Sequence, residues 1–258
     1  MKFISHIHST HSFDGKLDLR DLHELLRSHG VNVALMSEHI ESLKLGDIQR
    51  FIEECRQVST PDCVLIPGIE IDELNILIFG VKQVDEYDGV LDLAQQCHRR
   101  GALIAVSHPL KLRSELRPEI AEMVEAVEVW NQRYDGRIGP RWKSIDLLSR
   151  LRLSNPQIVP LSGLDFHSTS DFANIYMEVD DCQPSIEVLD AIRSGRHRIV
   201  NAGRTVEIPG AATASLRTIF RSKMATAARD GASFAHRQMK RIGLRVPNSI
   251  RIAFKKAL

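Results

Sequence analysis

KFISHIHSTHSFDGKLDLRDLHELLRSHGVNVALMSEH, residues 2–39, holds the repeating unit of the chain. Residues 3–7 are a short run with apolar and β-branched side chains that predicts a strand. Residues 18–29 place Leu19, Leu22, Leu25 and Leu26 at helical spacing and stop at Gly30, a residue suited to the left-handed position after a helix. Residues 31–36 predict a second strand. Outward from there the alternation continues with a helix at 47–58 and a strand at 64–66, for which 75–81 is the expected hairpin partner. Next come a helix at 89–100 ending at Gly101, a strand at 103–106, a helix at 118–124 opened by Pro118, and a strand at 127–130. A helix at 142–151, strands at 158–161, 175–179 and 199–200, and a helix at 186–194 complete the pattern. Strands alternating with amphipathic helices predict an α/β fold built mostly from parallel βα units.

The chain has 258 residues, 43% hydrophobic and 26% charged, which excludes a disordered, collagenous or coiled-coil protein and is enough to bury a core without covalent staples. Cys55, Cys63, Cys97 and Cys182 include no CxxC pair, which argues against a disulfide framework or a thiolate zinc site and for reduced thiols in a cytoplasmic protein. No apolar run reaches membrane-spanning length, and the first residues turn polar too soon for a signal peptide. Aromatic residues are only 5% of the chain and are not interleaved with basic ones, so no dedicated nucleic-acid binding is expected. The near-zero net charge hides an asymmetry. Residues 212–258 hold eleven Lys and Arg against Asp230 alone, a net +10, while the first 211 residues carry 23 Lys and Arg against 32 Asp and Glu, a net −9. An acidic body, 1–211, and a basic extension, 212–258, are expected to have separate jobs; Leu216, Ile219, Phe220 and Met224 suggest that the extension is partly helical. Its candidate partners are the acidic body itself, an anionic surface or another acidic partner.

Each of the first six predicted strands is followed by a side chain able to ligate a metal: His6 and His8, His39 in MSEH, Glu70 in PGIE, His108 in SHP, Asn131 in EVWN, and Asp165 with His167 in GLDFH. Barrel enzymes assemble their sites from C-terminal strand ends, so these residues are expected to converge on one mouth. Imidazoles and carboxylates suit zinc, manganese or iron, and an HxH pair on a strand sends both rings to one face. A single histidine is more often a hydrogen-bonded turn residue. The weight comes from recurrence: five of the 11 histidines fall at strand ends, with Asp14, Glu70 and Asp165 beside them.

These stretches resemble the PHP (polymerase and histidinol phosphatase) domain, a family of metal-dependent phosphoesterases. HIHSTHSFDG at 6–15 looks like that family's first motif, and MSEH, PGIE, SHP and GLDFHS resemble its later motifs in the same order, over roughly residues 1–205. The resemblance implies a distorted (β/α)7 TIM-like barrel with two or three divalent ions at its mouth. It implies that His6, His8, Glu70 and Asp165 surround one ion, that Glu70 bridges to a second ion also held by His108, and that Asp14, His39 and His167 take a third. Asn131 stands where the family often has a further histidine of the second site; its amide oxygen is a weaker, neutral ligand.

Two or three divalent ions against Asp14, Glu70 and Asp165 leave a positive cavity that favours a phosphate dianion. Metals lower the pKa of bound water to about 7, so a hydroxide can serve as nucleophile in hydrolysis of a small phosphomonoester or phosphodiester. Lys16, Lys111, Arg113, Arg133 and Arg137 are candidate phosphate contacts, although each alone is more commonly a solvated charge. Arg133 is preferred because it follows the Asn131 strand by two residues and can grip phosphate with two donors. His11 is the candidate proton donor to the leaving group. A metal-dependent amidohydrolase and a non-catalytic metal- or anion-binding module remain the alternatives at this point.

Overall fold

The computed structural model describes residues 1–112, 115–136, 139–180 and 182–208. The expectations for Arg113, Arg137 and the extension 212–258 lie outside the described residues. Among the described residues no helix is long and apolar enough to cross a membrane.

The described chain is mixed α/β. Its strands are β1 (Lys2–Ile7), β2 (Val33–Met36), β3 (Glu38–His39), β4 (Val64–Ile66), β5 (Gly68–Ile71), β6 (Ile76–Phe79), β7 (Leu103–Val106), β8 (Ala126–Asn131), β9 (Val159–Gly163), β10 (Ile175–Val179), β11 (His197–Asn201) and β12 (Arg204–Val206). The helices are α1 (Leu19–Ser28), α2 (Leu45–Val58), α3 (Gly89–Arg99), α4 (Pro118–Met123), α5 (Gln132–Asp135), α6 (Trp142–Ser154) and α7 (Glu187–Arg193). Local chemistry sets the ends: the Asp18 carboxylate accepts from the Arg20 and Asp21 backbone N–H groups to cap α1, which then buries Leu19, Leu22 and Leu26.

Among the described residues the α/β fold is as expected, no closed barrel is seen, and the sheets are less parallel than the sequence suggests. The strands form two six-stranded sheets, ordered β12-β11-β10-β1-β2-β4 and β3-β5-β6-β7-β8-β9, and five of the ten strand pairs are antiparallel. Connection length is the reason. The four residues between β5 and β6 can only close a hairpin, so β6 enters antiparallel to both β5 and β7, whereas a parallel neighbour needs a crossover of a dozen or more residues. The hairpin partner of β6 is therefore β5, not the 64–66 strand. The chain changes sheets between β2 and β3 at Ser37, and between β4 and β5 at Pro67. Gly68 permits the second switch: a Cβ there would lie 2.0 Å from the Met36 carbonyl oxygen and 2.6 Å from that of Ile78.

Backbone bonds also join β1 to the segment that follows β9. Leu164 N–H donates to Ser5 O at 3.0 Å, Phe166 N–H to His6 O at 3.0 Å and His8 N–H to Phe166 O at 2.9 Å. Phe3, Phe51, Phe79, Trp130 and Phe166 are fully buried in the core, and the Trp130 indole donates to Gly136 O, consistent with a packing role.

Candidate metal centre

Five histidines and three carboxylates from six separate stretches of chain meet around Glu70. Its Oε2 lies 3.2 Å from His6 Nε2, 3.4 Å from His8 Nε2 and 3.5 Å from His39 Nδ1, and its Oε1 lies 2.9 Å from His108 Nε2. Asp165 Oδ1 is 3.8 Å from His6 Nε2, 3.9 Å from His8 Nε2 and 3.4 Å from His167 Nδ1. Asp14 Oδ2 is 2.8 Å from His167 Nε2, and its Oδ1 is 3.6 Å from His39 Nε2. Four sets of ligand atoms lie within 4.8 Å of one another: His6, His8 and Glu70; His6, His108 and Asp165; Glu70, Asp72 and His108; and His8, Asp14, His39 and His167.

The backbone is bent to bring them there. His6, His108 and Asp165 have φ of 64°, 41° and 52°, a left-handed conformation that non-glycine residues rarely adopt. Such strain costs on the order of 1–3 kcal/mol per residue and gathers at functional sites. The β1–β2 register shifts between Ser5 and Ile7, and the β8–β9 register shifts between Glu128 and Trp130, so both strands carry irregularities beside the cluster. Thus His6 and His8 do not converge by simple strand alternation. His6 sits at the irregularity, and His8 follows the end of β1.

Charge balance follows from the same geometry. Burial opposes a proton on His6, but Glu128, Glu70 and Asp165 together hold its pKa well above the ordinary histidine value. Burial, reinforced by the positive His6, drives His8 well below that value. Glu70 is driven well below the usual carboxylate range: burial opposes this, and His6 and His108 outweigh it. The positive His6 offsets part of this carboxylate charge, and a divalent ion bound there would offset it in the same place. His8 Nε2, Asp14 Oδ1 and His39 Nδ1 are buried with no hydrogen-bond partner, and all three residues belong to this cluster. Nitrogen and oxygen atoms left unsatisfied in burial, with this donor chemistry, fit zinc, manganese or iron.

Asn131 differs from expectation. Its Oδ1 caps α5 by accepting from Arg133 N–H at 3.0 Å and Tyr134 N–H at 3.2 Å, while its Nδ2 donates to Glu128 Oε2 and faces His108 Nδ1, each at 3.0 Å. The oxygen expected to ligate is committed to the helix end. His11, the candidate proton donor, lies beside α2. Its Nε2 is 2.8 Å from Glu54 Oε2, its ring is against Phe51, and it joins none of the four ligand sets.

Arg133 does reach the cluster. Its half-exposed guanidinium places Nη1 2.5 Å from His167 Nδ1 and 3.9 Å from Asp165 Oδ1. His167 Nδ1 is also 2.9 Å from the Asp165 carbonyl, so it lies between a guanidinium that can only donate and a carbonyl that can only accept, while Nε2 faces Asp14. Lys111 Nζ lies 4.5 Å over the Tyr134 ring, which in turn meets His108 edge-on at 4.8 Å. Burial lowers the Lys111 pKa, and Tyr134, Asp72 and Glu70 more than reverse this, so the ammonium stays charged beside the cluster.

Three carboxylates near the cluster escaped the sequence reading. Asp72 belongs to a ligand set. Glu128 and Glu38 are fully buried behind the histidines. Glu128 was detectable as an acid inside the apolar run AVEVWN, and Glu38 as the residue directly before His39. Neither a family model nor a curated protein matches the chain.

Proposed function

We propose that the chain is a PHP-type metal-dependent phosphoesterase acting on a small phosphomonoester or phosphodiester in the cytoplasm, with its two sheets as the halves of a distorted (β/α)7 barrel. The backbone bonds joining β1 to the segment after β9 support the barrel reading. The observation that carries the metal reading is the set of three buried, unpartnered ligand atoms on His8, Asp14 and His39.

His6, His8, Glu70 and Asp165 would hold one ion, Glu70 and His108 a second, and Asp14, His39 and His167 a third. Zinc, manganese or iron bound there supplies electrophilic activation of phosphoryl oxygens and a water-derived nucleophile at neutral pH. The protein's own cations do the rest. Arg133, half exposed and next to Asp165, grips a phosphoryl oxygen pair, and Lys111 adds a second positive contact from the Tyr134 side. Burial of the histidines and Glu70 keeps the local dielectric low, so these contacts act more strongly than they would in water.

The test is hydrolysis of p-nitrophenyl phosphate and of bis(p-nitrophenyl) phosphate by protein loaded with manganese or zinc, before and after chelation. Metal-dependent turnover of either ester is expected. A chain that takes up metal but hydrolyses neither these nor a wider panel of phosphate esters would overturn the proposal.

A further inference from the structure

Two buried carboxylates stand outside every ligand set, each behind one histidine of the HxH pair. Glu128 Oε1 lies 2.7 Å from His6 Nδ1, and its Oε2 accepts from His108 N–H and from Asn131 Nδ2, each at 3.0 Å. With Oε2 held by two donors, Oε1 is fixed as acceptor for a proton on His6 Nδ1. The other ring nitrogen, Nε2, then faces Glu70. Room for this carboxylate is left by Gly163, where a Cβ would lie 1.9 Å from Glu128 Oε1 and 2.9 Å from His6 Cβ.

Glu38 does the same through one intermediary. It accepts from Ser9 N–H at 2.9 Å, from Ser9 Oγ at 2.7 Å and from Ser12 Oγ at 2.5 Å. The single Ser12 hydroxyl proton is thereby used, and Ser12 Oγ accepts from His39 N–H at 2.9 Å. His8 Nδ1, 3.2 Å from that oxygen, can only be the donor, which leaves His8 Nε2 as the buried unpartnered nitrogen.

We propose that Glu128 and the Glu38–Ser12 pair are positioning residues that hold the Nδ1 protons of His6 and His8, so that both rings present Nε2 to one ion. The proposal rests on the metal-centre reading. Partners of this kind orient ligand rings and raise their basicity, and their loss weakens metal affinity by about 10- to 100-fold.

The experiment measures zinc affinity of the full chain by competition with a chromophoric chelator, together with long-range proton–nitrogen NMR of the imidazoles in the zinc-loaded protein. Wild type should show protonated Nδ1 at both His6 and His8. Glu128→Gln should perturb the His6 signal and leave His8 intact, Ser12→Ala should do the reverse, and each should weaken zinc binding by about 10- to 100-fold. Gly163→Ala, which displaces the Glu128 carboxylate without removing it, should reproduce the Glu128→Gln pattern. Ser12→Ala removes one hydroxyl and tests the idea even if the buried glutamate variant fails to fold. A wild-type chain that binds no zinc sinks the metal-centre reading and this inference with it. A wild type that binds zinc while both variants keep affinity within threefold, or with His6 unprotonated at Nδ1, sinks this inference alone.

Discussion

Replacing Glu70 by Gln keeps the shape of the side chain and removes its charge at the point where the cluster is most connected. The Glu70 side chain is 1% exposed, and its two oxygens lie within 3.5 Å of nitrogens on His6, His8, His39 and His108. Removing one partner of a buried charge pair costs about 3–5 kcal/mol. At about 1.4 kcal/mol per decade, that converts to a loss of about 140- to 3,700-fold in affinity for an ion held there. Asn131→Ala is the contrast. It removes a helix cap worth about 1 kcal/mol and a donor to Glu128, and its oxygen already accepts from two backbone N–H groups. It should lower the melting temperature by about 2–4 °C per kcal/mol lost while keeping the metal count of wild type. The assay is metal content by mass spectrometry after dialysis against buffered zinc, with p-nitrophenyl phosphate turnover at matched loading. Equal metal content and comparable turnover in Glu70→Gln and Asn131→Ala would refute the central role of Glu70.

Zinc uptake should release a proton, because the carboxylates around His6 hold it protonated near neutral pH and the ion must displace that proton. Affinity should therefore rise with pH, and calorimetry in buffers of different ionisation enthalpy should detect the release; a pH-independent affinity between pH 6 and 8 would refute it. Burial pushes Cys63 and Cys97 up to about 11 and raises Cys55 well above the ordinary thiol value, whereas Cys182 is only half buried. Iodoacetamide at pH 8 should modify Cys182 first, and mass spectrometry showing Cys97 modified equally fast would contradict the packing around α3. Gly68→Ala would drive a Cβ into two backbone carbonyls and should cost about 1–3 kcal/mol or more, read as a fall in the denaturation midpoint. An unchanged midpoint would show that the switch between β4 and β5 does not depend on that close approach.

Much of the local structure was legible because it is set within about ten residues. The Leu19, Leu22 and Leu26 stripe and the stop at Gly30 are contained in one short stretch, and α1 follows from them. The strand-end histidines and acids were legible for a similar reason, since each sits directly beside its own strand signal. The pairing of strands was not. Periodicity at 64–66 and 75–81 says nothing about the sheet switch at Pro67, nor that a four-residue connection would turn β6 antiparallel.

The candidate site divides along the same line. The amino-acid order alone put His6, His8, His39, Glu70, His108, Asp165 and His167 at strand ends and supplied the donor chemistry for a divalent ion. Only the folded chain decided that the Asn131 oxygen caps α5, that His11 pairs with Glu54, and that Glu128 and Glu38 stand behind the HxH pair. The physical reason is distance along the chain. His6 and Glu128 are 122 residues apart, and a carboxylate reveals its partner only when packing removes water from both.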